Sequence, residues 1–313
     1  MSFKTINTAR GVFVIAVTPF TQDGALDLDS TDRMVDFYRA RGATGLTILG
    51  MMGEAPKMTQ AEAQTFTARV LKAAGDMPVI VGVSAPGFAA MRELGHASME
   101  LGAAGVMIAP TPGLRTDDQV FGYYRNAADE LGRDIPIVVQ DYPLALGVTF
   151  STPVLGRIIE EIPQVAMLKH EDWPGLAKIT ALRKAEAAGR RRIAILTGNG
   201  AMFLPEEMAR GADGAMTGFA YPEMMVEVCD LMNAGKPDDA RDLFDAYLPY
   251  ARFEQQPGLG LAARKYVLAK RGAIASATAR RPAPALSKED IAEIELLLTR
   301  QSRALERIGA AVD

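Results

Sequence analysis

The sequence predicts an α/β fold, a closed (β/α)8 TIM barrel with a C-terminal helical extension, and three observations carry that prediction. The segments RGATGLTILG (41–50), LGAAGVMIAP (101–110) and RGADGAMTGF (210–219) repeat Gly-Ala-x-Gly followed by an apolar run. Each reads as a helix ending at glycine, a tight turn, and a strand. The apolar runs are continuous instead of alternating, which marks strands buried on both faces of a parallel sheet. Eight such runs fall between residues 13 and 217 with helical patterns between them, and that alternation favours a closed barrel.

In chain order the runs are Phe13–Val17, Gly45–Leu49, Val79–Val83, Val106–Ala109, Ile135–Val139, Val165–Leu168, Ile193–Leu196 and Ala215–Thr217. Met34, Phe37 and Tyr38 share one face of the helix after the first run, and TQAE (59–62) forms a Thr-x-x-Glu capping box that opens the next. A doubly wound nucleotide fold is the alternative, but the first run leads into TPFTQDG and no G-x-G-x-x-G follows it. From Tyr221 onward the pattern is helical, with a connection at Ala273–Leu286 and a SKED cap (287–290) before the last helix. The expected division is a barrel over 1–225 and an extension over 226–313, packed together as one unit.

Composition narrows the function. The 313 residues are 49% hydrophobic and 23% charged, with a formal net charge of −4 and a pI near 5.5. There is no basic field for nucleic acid or an anionic membrane, so the expected partner is a small molecule. The single cysteine, Cys229, excludes intrachain disulfides and Cys-based zinc sites, and its spacing suits a packed helix face. The two histidines, His96 and His170, have no metal-ligand spacing, so no metal site is expected. The start lacks the apolar core of a signal peptide and no apolar run reaches bilayer length, which points to the cytoplasm.

Chemistry in such barrels collects where the strands end. Lys169, directly after the sixth run, is the lone lysine among those strand-end residues. An amine at the mouth of an apolar barrel is poorly solvated, which disfavours the ammonium, and a neutral lysine can attack a ketone to form an iminium. Position alone leaves two readings open, a nucleophile or a strand-end lysine reaching solvent. If the strand runs slightly past Leu168, Lys169 and Glu171 share a face while His170 points toward the helices. Glu171 is then either a proton carrier beside the amine or a solvated loop carboxylate. The same alternation pairs Gln140 with Tyr142 and sends Asp141 and Pro143 to the other face. Gln140 can hydrogen-bond but not usefully transfer a proton; Tyr142 could do both. Gly50, with Met51 and Met52, frames backbone N–H groups suited to a carboxylate. Gly198, just beyond the seventh run, and Met216, within the eighth, are further candidate substrate contacts. Asp172, Trp173, Pro174 and Gly175 are expected to turn the loop away from the mouth.

Taken together, VTPF (17–20), LGMMGEAPKMT (49–59), VAMLKHED (165–172) and LTGNGAMFLPEEMARGADGAMTG (196–218) resemble the dihydrodipicolinate synthase and N-acetylneuraminate lyase family of class I Schiff-base (β/α)8 enzymes. The resemblance covers essentially the whole chain and implies that Lys169 forms the iminium. It also implies a 2-oxo acid such as pyruvate as substrate, no metal or organic cofactor because the iminium is the electron sink, and a homo-oligomer, tetramer or dimer. Members that make dihydrodipicolinate precursors use a hydroxyl relay of one threonine and two tyrosines, and an arginine for a substrate carboxylate. Here those positions fall at Met51–Met52, Thr111–Pro112, Gln140 and near Ala145. Lys169-His170-Glu171 with Gln140-Asp141 is instead similar to branches that dehydrate 2-keto-3-deoxy sugar acids or act as hydratase-aldolases, where the glutamate takes over acid and base work. The expected activity is therefore a 2-keto-3-deoxy sugar acid dehydratase or aldolase. The alternatives are a 4-hydroxy-tetrahydrodipicolinate synthase and a non-catalytic 2-oxo-acid binding protein.

Overall fold

A computed structural model describes residues 4–173 and 175–310; Pro174 of the expected loop turn lies outside the described residues. Eight parallel strands close into a ring in sequence order: β1 (Gly11–Ile15), β2 (Gly45–Ile48), β3 (Val79–Gly82), β4 (Gly105–Ile108), β5 (Ile137–Asp141), β6 (Val165–His170), β7 (Ala194–Thr197) and β8 (Gly214–Ala215). Each is followed by a helix: α1 (Leu28–Ala40), α2 (Gln60–Ala74), α3 (Phe88–Glu100), α4 (Asp117–Leu131), α5 (Thr152–Glu161), α6 (Leu176–Ala187), α7 (Leu204–Ala209) and α8 (Pro222–Asn233). The extension consists of α9 (Pro237–Glu254), α10 (Gly260–Lys270) and α11 (Lys288–Ile308). This is the (β/α)8 barrel with a helical extension that the sequence predicts. α8 runs across the 225/226 division drawn from the sequence.

Local signals explain the element ends. Gly42, Gly102 and Gly211 of the three repeats all adopt positive φ just after a helix, a backbone that glycine enters without a Cβ penalty. The capping boxes at Thr59/Glu62 and Ser287/Asp290 both form, each satisfying two otherwise orphaned N–H groups.

Several strand bounds differ from the apolar runs. β5 ends at Asp141 rather than Val139, and β6 at His170 rather than Leu168. The hydrogen-bonded ladder continues beyond the apolar run because the last inward-facing layer is polar. β1 and β8 are displaced toward their N-terminal ends, Gly11–Ile15 and Gly214–Ala215. β7 is shifted one residue onward, to Thr197.

The core has two parts. Between barrel and helices lies a shell including Val14, Leu46, Val139, Leu168 and Ile195. Inside the ring, Phe13, Ile15, Ile80, Met107, Val138, Met167, Leu196 and Met216 fill the lumen. Met216, a candidate substrate contact from sequence, is fully buried among these lumen residues.

The extension is fixed to the mouth by charge as well as packing. Lys265 on α10 is fully buried, and its ammonium donates to Glu54 Oε1 (2.5 Å), Thr18 O (2.8 Å) and Thr278 O (2.8 Å). Glu54 Oε2 also accepts from Lys57 Nζ (3.0 Å) and Arg280 N (2.8 Å). Removing one member of such a buried pair typically costs about 3–5 kcal/mol, because the other charge is left uncompensated. Helix α10 therefore holds the loops after β1 and β2 in place.

Candidate active site

The register of β5, β6 and β7 determines which side chains enter the mouth. A bulge leaves Ala166 unpaired, after which Met167 aligns with Val138 and Ala194 in the lumen. Counting by twos from there, Lys169 aligns with Gln140 and Leu196, and faces inward. His170 aligns with Asp141 and Thr197, and faces the helices. Glu171 N donates to Asp141 O (2.8 Å), so the ladder carries the chain one residue further and turns Glu171 to the Lys169 side.

The result is a tight polar group in an apolar mouth. Lys169 and Glu171 are each only 5% exposed. Lys169 Nζ lies 2.9 Å from Glu171 Oε2, and Gln140 Nε2 donates to the same oxygen at 2.6 Å. Gln140 thus orients the carboxylate without competing for its proton chemistry. Tyr142 leaves β5, precedes a short helical turn (Pro143–Leu146), and is half-buried. Burial, followed by the negative charge of Glu171, raises its phenol above the ordinary value, while Arg264 opposes this.

Gly198 serves Glu171 directly. A Cβ at this position would overlap Glu171 Cγ and crowd its carboxylate, so the missing side chain is the space the glutamate occupies. Asn199, in the left-handed region at φ 50°, donates from Nδ2 to Glu171 O (2.9 Å) and holds the loop from the other side.

A cavity of about 320 Å3 opens beside this group, lined by residues including Gly50, Met51, Ser84, Thr111, Pro112, Gln140 and Leu146. Gly50 starts a 3-10 turn over Met51–Gly53. Gly53 N and Glu54 N are used inside that turn, bonded to Gly50 O and Met51 O, and the N–H groups of Met51 and Met52 stand at its open end. Met51 is exposed, and Met52 packs on the lumen residues. The structure thus groups Lys169, Glu171, Gln140 and Gly198 tightly, sets Gly50 and Met51 on the adjoining cavity, and leaves Met216 inside the lumen.

Behind the sheet lies a second polar layer. His170 Nε2 meets Gly175 O at 3.1 Å, and Asp141 Oδ2 accepts from Lys178 Nζ at 2.7 Å. Lys178 also pairs with Asp172 (2.8 Å), anchoring the loop that follows Glu171. Glu207 on α7 is buried with Oε2 unpartnered. Burial pushes its carboxyl up to about 7, with the Thr197 hydroxyl and His170 acting in the opposite sense.

Asn199 follows the seventh run in a glycine-rich turn, where no periodicity marks what its side chain does. Sequence reading missed two contributors. Arg264 and Lys265 are neighbours on a helix remote in sequence, and only the return of α10 to the barrel brings them to the mouth.

With this geometry in place, the wider class is clear: residues 8–301 match the Dihydrodipicolinate synthetase family. The chain belongs to that family, and membership supports a Schiff-base lyase mechanism on a 2-oxo acid. Among relatives, it is 35% identical over 291 residues to the L-2-keto-3-deoxyarabonate dehydratase of Azospirillum brasilense, covering 91% of this chain and 92% of that protein. It is 29% identical over 255 residues to the 4-hydroxy-tetrahydrodipicolinate synthase of Thiobacillus denitrificans, covering 78% and 81%. A crystal structure of dihydrodipicolinate synthase from Rhodopseudomonas palustris superposes with a TM-score of 0.93 at 52% identity, covering 94% of this chain and 98% of that one. No helix among the described residues is long and apolar enough to cross a membrane.

Two outcomes follow from the geometry. Gly198→Ala is expected to displace the Glu171 carboxylate and lower turnover of a 2-oxo acid substrate by roughly 10²-fold or more in a folded protein; wild-type steady-state rates would show that the carboxylate is not needed there. For Glu207, the folded chain keeps its proton up to about pH 7, whereas the ordinary value is 4.5. The stability this provides is complete below the unfolded value and is lost as the pH rises through 7. Glu207→Gln mimics the protonated form, so its melting temperature should exceed wild type at pH 8.5 by the equivalent of about 3 kcal/mol and converge with it near pH 4.5. A difference independent of pH contradicts this assignment.

Proposed function

We propose that the protein is a class I lyase that dehydrates a 2-keto-3-deoxy sugar acid through an iminium on Lys169. The observation that carries this reading is the 2.9 Å contact between Lys169 Nζ and Glu171 Oε2, with Gln140 bonded to the same carboxylate oxygen. In the reaction, the substrate carboxylate rests on the N–H groups of Met51 and Met52, and Glu171 accepts the proton that frees the Lys169 amine. The amine adds to the C2 carbonyl, the carbinolamine hydroxyl takes that proton back from Glu171 and leaves as water, and the iminium forms with Glu171 again ionised. Glu171 then removes a proton from C3, and the C–H electron pair moves into the enamine. The enamine expels the C4 hydroxyl, which departs as water on taking the proton from Glu171. Tyr142, whose phenol is held neutral by burial and by Glu171, assists that second transfer in this reading.

Support comes from what occupies the neighbouring positions. The segments that resemble the family's hydroxyl relay carry Met51, Met52, Gln140, Thr111 and Pro112, none of which is a phenol. A single carboxylate beside the lysine offers the strongest proton-transfer group in the mouth. The 35% identity to an L-2-keto-3-deoxyarabonate dehydratase over 91% of the chain points the same way. The second reading, condensation of pyruvate with aspartate semialdehyde, is favoured by the 52% identity to a chain described as dihydrodipicolinate synthase.

Assay of both reactions separates them. The protein is expected to release water from L-2-keto-3-deoxyarabonate, or a related 2-keto-3-deoxy sugar acid, and to be poor with aspartate semialdehyde. Glu171→Gln should lower that dehydration by about 10²–10⁴-fold. Normal turnover by Glu171→Gln removes the glutamate from the mechanism, and activity confined to aspartate semialdehyde establishes the second reading.

A further inference from the structure

Arg264 on α10 is an arginine whose hydrogen-bonding capacity the fold uses only in part. It is 2% exposed, and Nε donates to Glu254 Oε1 at 2.6 Å. Glu254 is occupied on its other oxygen by Ala220 N (3.1 Å), so the carboxylate is a fixed anchor for the guanidinium. Nη1, however, is buried without any hydrogen-bond partner among the described residues. An unpaired buried N–H donor typically costs about 1–3 kcal/mol, and more on a charged group, so a ligand that accepts from it gains that amount back.

The direction of Nη1 shows where such a ligand sits. A Cβ on Gly218 would overlap Nη1, and it would also crowd Ile15 O, the carbonyl at the end of β1. The guanidinium thus lies over Gly218 at the C-terminal ends of β8 and β1, in space that any side chain at 218 would fill. Gly218 follows β8 and Ile15 ends β1, at the same C-terminal end of the ring where Lys169 and Glu171 leave β6, so Arg264 lies at that mouth with them.

We infer that Arg264 Nη1 is a substrate-binding group that donates a hydrogen bond to a hydroxyl oxygen at the end of the 2-oxo acid remote from the iminium. This rests on the iminium reading of Lys169 given above. Glu254 already balances the guanidinium charge, which suits a neutral hydroxyl better than a second carboxylate. Pyruvate, with no tail, cannot reach this donor.

The test uses Arg264→Lys, which can keep the ion pair with Glu254 but lacks the second arm, alongside the double variant Arg264→Met/Glu254→Gln, which leaves no buried charge. The wild type should exchange the methyl protons of pyruvate for deuterium, followed by NMR, and both variants should do so within about 2-fold of it. For L-2-keto-3-deoxyarabonate, KM should rise by about 10-fold or more, as expected for one lost hydrogen bond to a charged group. For 4-hydroxy-2-oxopentanoate, the analogue lacking the terminal hydroxyl, KM should be unchanged between wild type and variants. An unchanged KM for both acids, or an equal rise for both, with pyruvate exchange intact overturns the role of Arg264 alone. Loss of pyruvate exchange in folded variants overturns it in favour of a structural role. A wild-type protein that exchanges no pyruvate protons overturns the iminium reading and this inference with it.

Discussion

The site depends on how far β5 and β6 stay paired. An apolar strand could stop at Leu168, and Lys169 would then begin a loop with no defined facing. Instead, Gln140 aligns with Lys169, Asp141 aligns with His170, and Glu171 N closes on Asp141 O at 2.8 Å. These polar rungs set a strict alternation, Lys169 and Glu171 inward and His170 outward, at a point where hydrophobicity no longer decides facing. What keeps the rungs paired lies behind the sheet. Asp141 is held by Lys178, and Lys178 also holds Asp172 in the loop beyond Glu171. One lysine on α6 thus fastens both strands on the side away from the chemistry.

The helical extension completes what the barrel starts. Lys265 ties Glu54 and the loops after β1 and β2 to α10, and the adjacent Arg264 comes to lie over the ends of β8 and β1. Because consecutive residues on a helix point about 100° apart, a single turn of α10 can serve both an inner loop and the open mouth. The open mouth is also shaped by small residues. Gly198 leaves room for the Glu171 carboxylate, and Gly218 leaves room for the Arg264 guanidinium.

Much of this was legible in the sequence. The three Gly-Ala-x-Gly repeats and the capping boxes locate helix ends, and the continuous apolar runs locate all eight strands, because burial on both faces writes itself into hydrophobicity. The runs misplace the strand ends at the mouth, where β5 and β6 extend through Gln140, Asp141, Lys169 and His170. Period-2 reasoning from Lys169 was enough to put Glu171 on its side. It could not reveal the bulge at Ala166, nor the vacant space at Gly198, since neither has a composition signal of its own. Met216, within the eighth run, was a candidate substrate contact; the structure buries it among the lumen residues. Lys265 was beyond reach because its role comes from contacts with Glu54 and Thr18, more than 200 positions away, and Arg264 because it meets Gly218 only where α10 returns to the barrel.

The central claim is that Lys169, buried beside Glu171, is the amine that bonds covalently to a 2-oxo acid. Incubation of the protein with pyruvate and sodium borohydride, followed by proteolysis and mass mapping, tests it most directly. The account predicts a reduced pyruvate adduct on the peptide containing Lys169, and no adduct on Lys178, which lies behind the sheet between Asp141 and Asp172, or on Lys265, which is fully buried against Glu54 and two backbone carbonyls. A protein that gives no adduct under conditions that trap an authentic class I lyase, or an adduct confined to another lysine, would contradict it.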